Sequence, residues 1–175
     1  MNHFDDVKDR MQALLRAFYA ARFVKDDNLP CQIEEGLFVG SFGAANNKAV
    51  LKRLNITHIL TVAGSMAPSY PYDFKYKIIE VADREETDLA QYFAECIDFI
   101  DGAKRSGGRV LVHCFVGRSR SVTIILAYLI KKHGMTVSQA LEYVRSKRPQ
   151  ASPNAGFIKQ LQNYEQSLQA KECPN

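Results

Sequence analysis

Cys114, Arg120 and Ser121 are the residues of this chain whose types and spacing could do chemistry. They lie in the stretch His113-Cys114-Phe115-Val116-Gly117-Arg118-Ser119-Arg120-Ser121. Before it, Val110-Leu111-Val112 has the pattern of a buried strand; after it, Val122 to Ile130 reads as a buried helix. A strand, a tight turn and a helix N-terminus place successive backbone N–H groups around one point. An oxyanion at that point would meet aligned amide dipoles and a guanidinium together, and the same field favours the thiolate of Cys114. Arg120 offers a planar fork of donors that matches phosphate oxygens and that lysine cannot reproduce. Gly117 lets the backbone approach a phosphate closely. The chemistry implied is displacement at phosphorus: attack by sulfur gives a phosphocysteine, which water then hydrolyses. A cysteine and an arginine six positions apart would be a weak pattern alone. The flanking His113, Gly117 and Ser121, together with the strand-to-helix context, narrow it.

The stretch resembles the signature loop of the cysteine-based protein tyrosine phosphatases, specifically their dual-specificity branch. The resemblance covers about residues 30–170 and includes Leu37-Phe38-Val39-Gly40-Ser41, Ala127-Tyr128-Leu129-Ile130 and the tail from Pro153 to Leu161. Within that branch the chain looks most like the small single-domain plant enzymes, without the extra docking domain of the larger MAP-kinase phosphatases. The resemblance implies a set of roles. Cys114 would be the nucleophile and Arg120 the holder of the phosphate oxygens. Phe115, Val116, Gly117, Arg118 and Ser119 would line the phosphate site. Ser121 would donate to the sulfur and help it leave, and His113 would organise the loop without transferring the proton. In this family a carboxylic acid on an upstream loop protonates the leaving oxygen. Asp83, 31 positions before Cys114, matches that place; Asp88, 26 positions before it, is the alternative. Arg148 matches the place of an arginine that can bind a second phosphate. From the residues alone, Arg145, Lys147 and Arg148 read equally well as a solvated helix end.

Tyrosine-specific relatives carry a Trp-Pro-Asp acid loop. This chain has no Trp and places Ala82-Asp83-Arg84 there. A shallower cleft would admit phosphotyrosine as well as the shorter phosphoserine and phosphothreonine. The expected function is therefore a dual-specificity protein phosphatase, with MAP kinases as substrates by family analogy. Phosphoinositide phosphatases of the superfamily often place lysines inside the loop, where this chain has Phe115, Val116 and Arg118. A phosphate-binding pseudophosphatase adaptor would usually lack the cysteine. No cofactor is implied, and no cluster of His, Cys, Asp and Glu has the spacing of a metal site.

Positioning these residues requires strands that alternate with helices, hence an α/β layer fold. The resemblance specifies it as a central mixed, largely parallel sheet flanked by helices on both faces. Expected strands are Leu37–Gly40, Ile56–Val62 and Tyr76–Ala82, with Asp83 directly after the last; a helix capped by Thr87 follows. Thr136 to Lys147 forms another helix, and Pro153 opens the last. The domain would span 30–170, with a polar tail over 171–175 and an extension over 1–29.

Residues 4–25 of that extension read as an amphipathic helix, with Phe4, Val7, Met11, Leu14, Leu15 and Phe18 at spacings of three and four. Residues 7–25 set Lys8, Arg10, Arg16, Arg22 and Lys25 against the single acid Asp9. Such a helix can pack on its own domain, lie on a membrane or enter the acidic groove of calmodulin.

The chain has 175 residues, enough for one domain with a sizeable core. Its net charge of +4 is too small to argue for nucleic acid, and no apolar run is long enough for a membrane span. Cysteines at 31, 96, 114 and 173 show no close pairing, which suits a reducing cytoplasm or nucleus. Cys96 falls on an apolar helix face and reads as inert core.

Overall fold

Alternation along three short strands decides how the sheet is covered. Phe38, Ile59 and Leu111 point to one face, where they pack with Ala45, Leu51, Ile56 and Phe74. Leu37, Val39, Leu60, Val62, Val110 and Val112 point to the other and join the larger core. The computed structural model describes residues 7, 10–18 and 27–173. Its five strands are β1 (Cys31–Glu34), β2 (Leu37–Gly40), β3 (His58–Val62), β4 (Lys75–Ile79) and β5 (Val110–His113), in the order β1-β2-β5-β3-β4. β1 runs antiparallel to β2, and every other pairing is parallel. The short helices α1 (Phe42–Ala45) and α2 (Lys48–Arg53) contribute to the smaller face. The larger face is covered by α3 (Phe93–Arg105), α4 (Arg120–His133), α5 (Val137–Lys147) and α6 (Ala155–Glu172). This is the mixed, largely parallel sheet with helices on both faces that was expected.

Helix α4 is buried without interruption from Ser121 to Ile130. A helix enclosed on all sides needs no polar stripe, which explains its unbroken apolar run. It stops at Gly134, whose φ of 63° is the left-handed cap conformation that glycine adopts without strain. Thr136 and Gln139 form a reciprocal capping box at the start of α5, and Asn154 caps α6 by accepting from the Phe157 N–H. Parallel pairing brings the carboxyl ends of β2, β3, β4 and β5 to one edge of the sheet, at Gly40, Val62, Ile79 and His113. Open parallel sheets bind their ligands at that edge. A larger cleft of about 770 Å³, lined by residues such as His58, Lys75 and Gly108, lies at the opposite strand ends, away from Cys114.

The structure departs from the sequence reading at several boundaries. The edge strand β1 was not anticipated; only Ile33 in it is buried, so its pattern carries little signal. β4 ends at Ile79, leaving residues 80–83 as loop. The helix expected from Thr87 begins instead with a 3₁₀ turn at Ala90–Tyr92. The N–H groups of Leu89 and Ala90 both donate to Gln160 Oε1 at 2.9 Å, so a side chain from α6 satisfies donors before the helix starts. α6 continues through Glu172, beyond the expected boundary at 170.

Residues 10–18 are helical, and the remainder of the expected 4–25 helix, Val7 apart, lies outside the described residues. Met11, Leu14 and Leu15 are 58%, 71% and 50% exposed, so these apolar side chains are not buried against the domain. Among the described residues, no helix is long and apolar enough to cross a membrane.

Candidate active site

The loop after β5 turns its carbonyls outward, and each one finds a donor there. His113 Nδ1 donates to Cys114 O at 3.0 Å and the Phe42 N–H to Phe115 O at 2.9 Å. Arg148 Nη2 donates to Val116 O at 3.1 Å, and its Nε to Gly117 O at 2.6 Å. The Ser152 and Thr123 N–H groups donate to Arg118 O at 2.8 Å and Ser119 O at 2.9 Å. Six successive carbonyls, from Cys114 to Ser119, are therefore hydrogen-bonded, the last of them by the first turn of α4. That leaves the loop free to turn amides toward Cys114, as the Gly117 N–H does at 3.2 Å from Sγ. Gly117 has φ 72°, and a Cβ there would sit 2.6 Å from Arg148 Nη2 and 2.7 Å from Gly40 O. Both the left-handed backbone and the lack of room require glycine.

Cys114 is 2% exposed, with Ser121 Oγ 3.2 Å from its sulfur. Ser121 lies in the first turn of α4, so the sulfur also faces a helix N-terminus. The Arg120 Nη1 donates to Val81 O at 3.0 Å, which ties the guanidinium to the segment that leads to Asp83. Arg120 Nε is buried without a hydrogen-bond partner. Arg120 follows the loop at the first position of α4, so its guanidinium is carried by the same turn that carries Cys114.

His113 is 4% exposed. Burial pushes its pKa down to about 4; the bond to Cys114 O opposes the shift and the positive charge of Arg120 adds to it. The ring is thus neutral near pH 7. A carbonyl only accepts, so Nδ1 carries the proton and Nε2 accepts from Thr61 Oγ1 at 2.8 Å. Both nitrogens are thus engaged with Thr61 and the Cys114 carbonyl.

Asp83 is exposed, and its Oδ1 accepts from Asn154 Nδ2 at 2.9 Å. The Asn154 N–H donates to Ser119 Oγ at 3.0 Å, so this residue bridges the acid loop and the loop around Cys114. The hydroxyl of Ser119 is spent on that scaffold contact. Gly156 allows the first turn of α6 to lie against the Glu85 backbone, where a Cβ would overlap the Glu85 carbonyl. Gln160 Nε2 donates to Thr87 O at 2.8 Å, completing the tie between α6 and the acid loop. Asp88 Oδ1 accepts from the Gln91 N–H at 3.3 Å at the start of the 3₁₀ turn. Asn154 and Gln160 carry positions that sequence reasoning gave only to a family tail; their polar side chains inside an otherwise amphipathic helix start were the available signal.

Phe115 stacks on Phe42 with centroids 5.9 Å apart, and Arg118 is exposed at the rim. Phe115 and Arg120 border a cleft of about 660 Å³ that is also lined by Ala63, Gly64, Ser65 and Met66. Arg148 departs from its expected display to a second phosphate. It is 1% exposed, and its remaining donors meet Asp27 Oδ2 at 2.7 Å and Cys31 Sγ at 3.4 Å. It ends α5 in an extended backbone conformation, which turns the side chain away from the solvated cations before it. Elsewhere, Cys96 is fully buried, and burial pushes its thiol up to about 12, which makes it inert.

A buried sulfur that accepts from a loop amide, an arginine at the start of the helix that follows the loop, and a carboxylate linked to that loop through Asn154 form the arrangement of a cysteine-dependent phosphatase. The chain belongs to the dual specificity phosphatase catalytic domain family, which it matches over residues 37–167. It is a dual-specificity protein phosphatase, a hydrolase of phosphoric monoesters. The chain is 61% identical over 168 residues to dual specificity protein phosphatase 1 of Arabidopsis thaliana, covering 96% of this chain and 85% of that protein. It is 45% identical over 142 residues to the MAP kinase phosphatase with leucine-rich repeats protein 3 of Dictyostelium discoideum, covering 81% of this chain and 16% of that protein. The crystal structure of DUSP15 superposes with a TM-score of 0.77 at 37% identity, covering 85% of this chain and 98% of that one.

Proposed function

We propose that Cys114 attacks the phosphorus of a phosphorylated protein side chain and that Asp83 gives the leaving oxygen its proton. Arg120 and the loop amides bind the equatorial oxygens as their charge develops. The phosphocysteine then breaks when water attacks phosphorus, with Asp83 accepting the water proton and Ser121 donating to the departing sulfur. The observation that carries this reading is the sulfur held 3.2 Å from both the Gly117 N–H and Ser121 Oγ. Its test is aryl phosphate hydrolysis by Cys114→Ser. Turnover should vanish while phosphopeptide binding persists; turnover that survives would sink the mechanism.

For substrates we propose MAP kinases phosphorylated on threonine and tyrosine, supported by the likeness to a MAP kinase phosphatase. Asp83→Ala should trap the phosphorylated kinase in a pull-down, and recovery of other phosphoproteins without it would redirect the assignment. We also propose that residues 7–25 bind calmodulin, which would bring calcium control without calcium at the phosphatase itself. The exposed Met11, Leu14 and Leu15 beside Arg10 and Arg16 support this reading. Titrating a peptide of residues 4–27 with calmodulin, with calcium and with chelator, decides it: absence of calcium-dependent binding at micromolar peptide removes it. A cytoplasmic or nuclear location completes the proposal, because a reaction that depends on a free thiol suits reducing surroundings.

A further inference from the structure

The residue that holds the back of the signature loop has its own counterion in an unexpected place. Arg148 donates to two successive loop carbonyls, at Val116 and Gly117, and with the same guanidinium to Asp27. Asp27 precedes the residues matched by the family, which begin at 37. Its segment is anchored where it crosses the domain: Ser41 Oγ donates to Asp27 O at 2.8 Å, and Asn47 Nδ2 donates to Asn28 O at 3.0 Å. Ser41 and Asn47 are also the N-caps of α1 and α2, so the anchors are themselves fixed. Arg148 is 1% exposed and its guanidinium is a rigid fork, so its orientation is set by what it bonds. Asp27 holds one arm of that fork, and the other donors then reach the carbonyls.

We infer that Asp27 and Arg148 act together as positioning residues for the phosphate-binding loop, so that a segment outside the matched domain sets the geometry around Cys114. This rests on the phosphatase reading of Cys114 and adds a structural lever to it. Fixing two carbonyls on the outer side fixes the two following amides, which belong to Gly117 and Arg118. The Gly117 N–H is the group that donates to the sulfur. Loss of the Asp27 contact frees the guanidinium to turn, and the amides lose their aim at the oxyanion. The neutral Asp27→Asn side chain keeps the shape of the contact and removes its charge, whereas Asp27→Glu keeps the charge.

The test compares Asp27→Asn, Asp27→Glu, Arg148→Lys and Arg148→Met in the full chain. Each is assayed at temperatures well below its own unfolding midpoint for kcat and KM on an aryl phosphate, for vanadate affinity and for the pH dependence of Cys114 alkylation by iodoacetate. Arg148→Met should lower kcat by about 10²-fold, the scale expected of a displaced catalytic geometry. It should weaken vanadate and shift the alkylation profile to higher pH. Asp27→Asn should move all three readouts in the same direction by a smaller factor. Asp27→Glu and Arg148→Lys should recover part of each. Where Arg148→Met does not fold, Asp27→Asn carries the decision. Variants that unfold earlier but keep kcat, vanadate affinity and the alkylation profile would overturn the inference and leave a purely structural ion pair. Failure of the phosphatase reading is distinguished separately, by wild-type turnover that survives Cys114→Ser.

Discussion

The loop around Cys114 and the segment around Asp83, the two walls of the proposed site, are built by opposite means. On the sulfur side, the carbonyls of residues 114–119 are all bonded within the protein, and Cys114, His113, Ser121 and Arg148 are each under 5% exposed. On the acid side, Asp83 is exposed and held by one amide hydrogen bond from Asn154. The difference follows from what each wall must recognise. A phosphoryl group has the same oxygens whatever carries it, so a cradle fixed in advance loses nothing to reorganisation. The leaving oxygen sits at a different height on tyrosine than on serine or threonine, so a solvated, lightly tethered position suits the proton donor proposed at Asp83.

Arg120→Lys attacks the fixed wall directly. A point charge replaces a fork, and kcat on an aryl phosphate should fall by about 10³-fold, with phosphate-analogue binding weakened in step. A loss below tenfold would mean that the loop amides suffice without the fork.

The buried imidazole of His113 gives the fixed wall a pH signature of its own. Its pKa is near 6.5 when unfolded and about 4 when folded, so the unfolded chain takes up the proton first as pH falls. The contribution is fully present above pH 6.5 and is lost progressively toward pH 4. It amounts to about 3 kcal/mol. Urea unfolding of wild type and His113→Asn across that window should show a steeper decline in wild type. Parallel declines would show that the imidazole is not the group responsible.

Asp83→Asn tests the adjustable wall. Turnover should fall by about 10²-fold with an alkyl phosphate and by less with an aryl phosphate whose leaving group needs little help. Equal, small losses on both substrates would move the acid to Asp88, which is already engaged in capping the turn at Gln91.

The smallest effect belongs to the tether itself. Asn154→Ser keeps a good N-cap for α6 while removing the amide that reaches Asp83. We expect a loss of about threefold, within the range of a single neutral hydrogen bond, on alkyl phosphates with the unfolding midpoint nearly unchanged. An unchanged rate would show that the acid needs no tether.

The fixed wall was largely legible in the chain because its parts are contiguous: strand, glycine-containing turn and helix follow one another from Val110 to Ile130. The helix expected from Thr136 to Lys147 was legible in the same local way, and the structure starts it with the capping box of Thr136 and Gln139. What could not be read is long-range. Arg148 sits beside two other cations, Arg145 and Lys147, and a run of charge at a helix end normally faces water. Only the extended conformation at its own position and an acid 121 residues earlier turn it inward. The delayed start of α3 has the same cause, since Gln160 supplies its acceptor from about seventy residues away. Asp83 was picked out by the family pattern alone, and its contact with Asn154 depends on how α6 packs.

The strand order has a consequence for how the enzyme comes into being. β5 lies between β2 and β3, yet it is the last strand to leave the ribosome. Without β5 the native pairings that remain are two unconnected ones, β1 with β2 and β3 with β4. Each pair leaves a long side unzipped, and joining them requires distant closures that are slow to form. The strand that completes the sheet also delivers Cys114. A chain that ends before β5 therefore has neither the joined sheet nor the nucleophile.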